Sequence, residues 1–176
     1  MKVRLIIAAV IFGVLALSCG CVGIIALVYW AKVKHEIAPF EAHLAEYTRT
    51  PEPLVGDADS GYIKGKVIPI DRAKDEIDAQ FWTHLPITLK PENPEEVGTI
   101  VWLVWDKEEA GEYEGGGTAY IQTCDVTVID KARNVIVAEA HIEGEAKKEI
   151  AKRAKEGTGE KPYSKIVSYL NKLPRK

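Results

Sequence analysis

The chain has 176 residues, enough for one modest domain beside a targeting segment, and carries 23 basic against 26 acidic residues for a net charge of −3. Hydrophobic residues make up 47%, but they are unevenly spread. From Leu5 to Trp30 no residue is charged. Setting aside Lys2, Arg4 and Lys32 leaves 20 basic residues facing all 26 acidic ones, a formal charge of −6 that argues against nucleic acid as a partner.

The apolar run makes roughly 39 Å of helix at about 1.5 Å per residue, against a bilayer core of about 30 Å. A cleaved secretory signal has an apolar region of only about 7–15 residues before a small-residue site. Here the run continues through "VGIIALVYWA". A lipoprotein signal wants a large aliphatic residue three places before the modified cysteine, where Cys19 has Ala16 and Cys21 has Ser18. Residues 1–32 are therefore expected to be an uncleaved signal-anchor, with the membrane engaged through residues 5–30 and the C-terminal domain outside the cytoplasm. Small residues at Gly13, Ala16, Gly20 and Gly23 give that helix one smooth face, the pattern through which two copies can pack in lipid. The cysteine pair is read as small helix residues, since a metal at membrane depth would find no further ligands.

Residues 33–61 read as a juxtamembrane helix over 31–48, interrupted or kinked at Pro39, followed by the linker "RTPEPLVGDADSG". The remainder, 62–176, is expected to be an α+β domain: a small antiparallel sheet with one or two C-terminal helices. "YIKGKVIPID" opens as a strand whose end Pro69 demotes to an edge or bulge. "DRAKDEIDAQFWTH" reads as a turn with a short helix, and "LPITLKPENPEE" as an irregular connection. "VGTIVWLVW" is β-branched and aromatic, as a central strand covered on both sides requires. "DKEEAG" is then expected to turn the chain. "TAYIQTCDVTVI" and "VIVAEAHIEG" form a hairpin through "DKARN", in which Asn134 tolerates the left-handed conformation. Two helices are predicted to close the chain. The first is "EAKKEIAKRAKEG"; the second, "PYSKIVSYLNKLP", has Tyr163, Ile166, Val167 and Leu170 at helical spacing.

Alternation along the hairpin's second strand puts Glu139, His141 and Glu143 on one face and Ile136, Ala138, Ala140 and Ile142 on the other. Two carboxylates and an imidazole, joined by Thr123 and Asp125 of the partner strand, could serve acid–base chemistry or bind a metal. A solvated sheet face looks the same. The loop allows two registers. Pairing Asp130 with Asn134 sets Cys124 opposite Ala140 and Asp125 opposite Glu139. Pairing Asp130 with Val135 sets Cys124 opposite His141, where a thiol could be activated. The first keeps the apolar faces together and leaves Cys124 buried and inert. Trp102 and Trp105 fall on opposite faces of their strand and read as packing residues rather than a binding platform. Lys147, Lys148, Lys152, Arg153 and Lys155 form one basic island, either a solvated helix face or a contact for anionic lipid or polymer. No phosphate-binding or nucleophile motif is present, and no cofactor or metal is expected. The sequence is most simply read as a membrane-anchored binding or scaffolding domain, with a small hydrolase or metal-dependent enzyme built around His141 as the alternative.

Overall fold

The computed structural model describes residues 25–52, 61–113, 116–147 and 156–176. The chain divides into two units, Met1–Ala38 and Pro39–Lys176. In the first, residues 25–38 are helical. Ile25, Leu27, Val28, Tyr29 and Trp30 are all exposed, and Lys32 approaches Glu36 one turn on at 3.9 Å. Among the described residues no helix is long and apolar enough to cross a membrane. Most of the expected span, with Cys19, Cys21 and the small residues Gly13, Ala16, Gly20 and Gly23, lies outside the described residues.

The second unit is α+β, but its sheet of six strands is mixed rather than antiparallel. Helix (α1) runs over residues 25–41, so Pro39 does not interrupt it; the break falls after it, at residues 42–43, before the single turn α2 (Leu44–Tyr47). Strand β1 (Lys66–Asp71) turns through residues 72–75 into the two-residue β2 (Glu76–Ile77) and the helix α3 (Ala79–His84). Asp78 starts α3 because its carboxylate accepts the Phe81 N–H at 2.8 Å, satisfying one of the donors a helix leaves unpaired in its first turn. A short 3₁₀ turn (Pro94–Glu96) then leads into β3 (Val97–Glu112). This crossover brings β3 back parallel to β1, which lies inside the sheet in the order β2-β1-β3-β4-β5. β1 is thus an inner strand, but at Pro69 itself it has no strand partner on its β2 side, as at an edge position. The proline's missing N–H is tolerated because β2 covers only Ile70 and Asp71 on that side.

The expected turn at "DKEEAG" does not form. Strand β3 continues to Glu112 and pairs with β4 (Thr118–Asp130) from Thr99 onward, with an irregularity between Glu109 and Gly111. The hairpin closes where Gly116 and Gly117 take positive φ and Gly116 donates to the Tyr113 carbonyl at 2.9 Å. Strand β5 (Val135–Glu143) returns through residues 131–134, with Asn134 left-handed at φ 52° as its side chain allows.

The first of the two expected C-terminal helices falls mostly outside the described residues, and its two ends are not helical. Residues 145–147 are not helical, and Glu156–Thr158 form a strand, β6, parallel to the start of β4; residues 148–155 lie outside the described ones. Gly144 and Gly159 donate to the Gln122 and Tyr120 carbonyls of β4, so both legs of this excursion sit on one edge. The second helix, α4 (Tyr163–Lys172), buries Ile166 and Leu170 as its spacing predicts.

The centre of the sheet is buried on both faces: Val101, Leu103, Cys124, Val126, Val128, Ala138 and Ile142 on one, and Ile68, Ile70, Ile100 and Ile129 on the other. Trp105 lies on the first face, its indole N–H donating to Asp78 Oδ2 at 2.9 Å and its ring meeting Tyr163 edge-on. On the other face Trp102 donates to the Tyr47 carbonyl at 2.9 Å under the Arg72 guanidinium. The two tryptophans pack on opposite faces.

Candidate functional site

The hairpin of β4 and β5 carries the predicted site, in a register that neither expected pairing describes. Asp130 pairs with Val135 and Ile129 with Ile136, but Val128 then pairs with Ala138, leaving Val137 as an extra residue. A bulge of this kind sets two residues against one and shifts the register by one. Beyond it Val126 faces Ala140 and Cys124 faces Ile142, so the apolar faces coincide again. Ile136 moves off the Ala138 face to lie opposite Ile129, contrary to simple alternation.

Cys124 is therefore separated from His141. The thiol is fully buried, and burial, then the nearby Asp78 and Asp125 charges, push its pKa up to about 12. Such a thiol is almost wholly protonated near neutral pH and is a poor nucleophile.

Glu139, His141 and Glu143 do share the exposed face. What β4 brings to them is Asp125, directly opposite His141, with Oδ1 2.6 Å from Nδ1. Glu108 of β3 stands on the other side of the ring, 3.7 Å from Nε2. The hydrogen bond to Asp125 raises the His141 pKa above its ordinary value, and the Asp125, Glu108 and Glu143 charges add to that against partial desolvation. The sequence reading missed Glu108 because it placed a turn there. The alternation of Asp106 and Glu108 with Lys107 and Glu109, continuing that of "VWLVW", was the available signal. Thr123, opposite Glu143, is buried and its hydroxyl has no hydrogen-bond partner among the described residues. It does not join the open face. Glu139 faces Thr127.

Asp125, Thr127, Glu139 and His141 line a shallow hollow of about 410 Å³. An aspartate-oriented imidazole is the base half of an acid–base pair. Yet the side chains of His141, Asp125 and Glu108 are 46%, 68% and 49% exposed, so water competes for every hydrogen bond they make. Among the described residues no group of three or more His, Cys, Asp or Glu side chains converges to hold a metal ion.

A larger hollow of about 520 Å³ lies where residues 144–147 meet residues 158–165. Two of its lysines are engaged: Lys161 stacks on Trp105, and Lys165 reaches the Glu143 carbonyl and Glu145. Of the basic island, Lys147 lines this hollow; Lys148, Lys152, Arg153 and Lys155 lie outside the described residues. Comparison of the chain with protein-family models, with curated proteins and with solved structures finds no match.

Proposed function

We propose that the protein is a single-pass membrane protein whose N-terminal helix anchors a non-enzymatic binding or scaffolding domain outside the cytoplasm. The supporting observation is the helix at residues 25–30. Ile25, Leu27, Val28, Tyr29 and Trp30 are exposed around its circumference, and the sequence before it stays uncharged back to Leu5. A helix apolar on all sides needs an apolar solvent, and lipid supplies it. Tyr29 and Trp30, followed by Lys32 and Lys34, have the composition of a helix end at the headgroup level. The enzyme alternative is disfavoured because the imidazole and its carboxylates stand in open solvent, where charge stabilisation is weak.

Alkaline extraction of membranes from cells making the full chain tests the anchor. The protein should stay with the bilayer, its domain should be digested by protease added on the extracytoplasmic side, and mass spectrometry should find residues 1–32 still attached. Release into the soluble fraction, or a mature acylated N-terminus at Cys19 or Cys21, would overturn the reading. Pairing of two anchors through Gly13, Ala16, Gly20 and Gly23 is part of the proposal. Cys19 should then crosslink between copies under mild oxidation, and Gly23→Ile should abolish the crosslink.

A further inference from the structure

Beyond Leu103, strand β3 has a neighbour on one side only among the described residues. Its last bond to the β1 side is from the Arg72 N–H to the Leu103 carbonyl, at 3.0 Å. From Val104 to Glu112 it is paired with β4 alone among the described strands. Backbone groups in a strand alternate sides. The Gly98 carbonyl accepts from Lys131 at the β4 side, whereas that of Leu103 points the other way. Trp105, Lys107 and Glu109 therefore turn their N–H and C=O groups outward along a free edge. The Lys107 N–H bears this out: with no strand to meet, it donates to the carboxylate of Asp106 at 2.7 Å.

The charges on this edge decide what can pair with it. Asp106, Glu108, Glu109 and Glu112 lie along it, all exposed. Their one lysine neighbour, Lys107, is drawn to the core-side face, over the Tyr120 ring and towards Glu156, so on the other face Glu108 has only the half-exposed His141 ring, 3.7 Å away, and Asp106 meets no lysine or arginine among the described residues. Two copies meeting edge to edge would set these carboxylates against each other, which guards against self-pairing. A strand with basic side chains at every second position would place them beside Asp106 and Glu108, about 4.8 Å away. Its intervening side chains would lie beside Trp105 and Lys107, where small β-branched residues fit. We infer that the free edge of β3 from Trp105 to Glu109 is a docking site for an extended partner segment with Lys or Arg at alternate positions, added as a further strand of the sheet. This rests on the reading of the domain as a binding module and names the partner's chemistry.

Fluorescence anisotropy with the full chain in lipid nanodiscs tests it. The probe is an end-capped nine-residue peptide alternating Lys with Val. Saturable binding is expected, weakened by salt and lost in the Asp106→Lys/Glu108→Lys variant. N-methylation, which removes amide donors without changing charge, separates strand addition from simple attraction. Methylating one of the two alternating sets of amides should weaken binding about tenfold or more, as loss of several backbone hydrogen bonds implies, while methylating the other set should leave it intact. Lys107→Pro should weaken it where Lys107→Thr does not, since proline is tolerated where a strand's N–H faces outward. Equal binding of all the methylated peptides, or no binding of any, overturns the inference. A chain that resists alkaline extraction but binds no peptide loses this inference and keeps its anchored-domain reading; one that binds the peptide but leaves the membrane does the opposite.

Discussion

Asp125 and His141 face each other across the β4–β5 hairpin, with carboxylate oxygen and ring nitrogen 2.6 Å apart. Cross-strand pairs are the local unit of sheet stabilisation, and this one joins the outermost long strand to its neighbour in open solvent.

The pair makes the stability of the hairpin depend on pH in a defined direction. The hydrogen bond to Asp125 raises the folded pKa of His141 above the ordinary 6.5. The protonated imidazole is thus favoured by folding, and its contribution is fully present below about 6.5 and fades as pH climbs through the raised folded value. An NMR titration of the full chain in micelles should find the His141 midpoint above that of an unperturbed histidine, and Asp125→Asn should lower it. A midpoint unmoved by Asp125→Asn would show that the pair does not persist in solution.

Cys124 should behave as a core residue. At neutral pH the folded protein should leave it unmodified by a soluble maleimide, followed by mass spectrometry of the Cys124 peptide, and full reaction should appear only on denaturation. Cys124→Ser would bury a hydroxyl in apolar surroundings and should cost about 1–3 kcal/mol. Cys124→Ala should cost less than the serine variant if polarity rather than volume dominates. Rapid labelling of the native protein would contradict the burial.

Asp78 ties α3 to the sheet through two bonds from one carboxylate, to the Phe81 N–H and to the Trp105 indole. Asp78→Ala loses the cap and strands the indole donor, with an expected cost of about 1–3 kcal/mol in urea denaturation. Asp78→Asn keeps an acceptor and should cost less than Asp78→Ala. An alanine variant as stable as the parent would mean the cap is dispensable.

Several elements were legible because their residues answer to local rules. Helix α4 is set by the spacing of Tyr163, Ile166 and Leu170, and the turn before β5 by the tolerance of Asn134 for positive φ. The exposed face of Glu139, His141 and Glu143 follows from alternation alone. What escaped depends on partners remote in sequence. The parallel pairing of Val67–Asp71 with Thr99–Leu103 requires a crossover through α3 that no local pattern announces. Strand β6, "EGT", has no apolar residue and exists through backbone bonds to β4. The outer half of β3 hid because Asp, Glu and Gly are poor strand formers and nothing there is buried. The extra residue at Val137 was hidden for a subtler reason. In a run of Val, Ile and Ala on both sides of the bulge, a one-residue shift leaves the local pattern almost unchanged, and only the distant pairing of Cys124 with Ile142 reveals it.

The excursion between β5 and β6 closes at its neck, and one glycine makes that closure possible. Gly159 donates to the Tyr120 carbonyl at 2.9 Å, while its α-carbon faces the incoming leg so closely that a β-carbon would clash with the Glu145 carbonyl oxygen. That neighbour is backbone and cannot swing aside as a side chain would. Gly159→Ala must therefore spread the two legs or lift residue 159 from β4, and overpacking of this kind costs about 1–3 kcal/mol. The loss should be local. Hydrogen exchange should accelerate at Gly159 and the β6 amides, which depend on the neck, while the amides of β1 and the inner half of β3 keep their protection. Gly111→Ala is the contrasting change. It leaves open space around the new methyl group but forces alanine into φ 119°, so any effect there reports backbone strain in the outer half of β3 and should not reach β6. Unchanged exchange at β6 in Gly159→Ala would show that the two legs do not close on each other in solution.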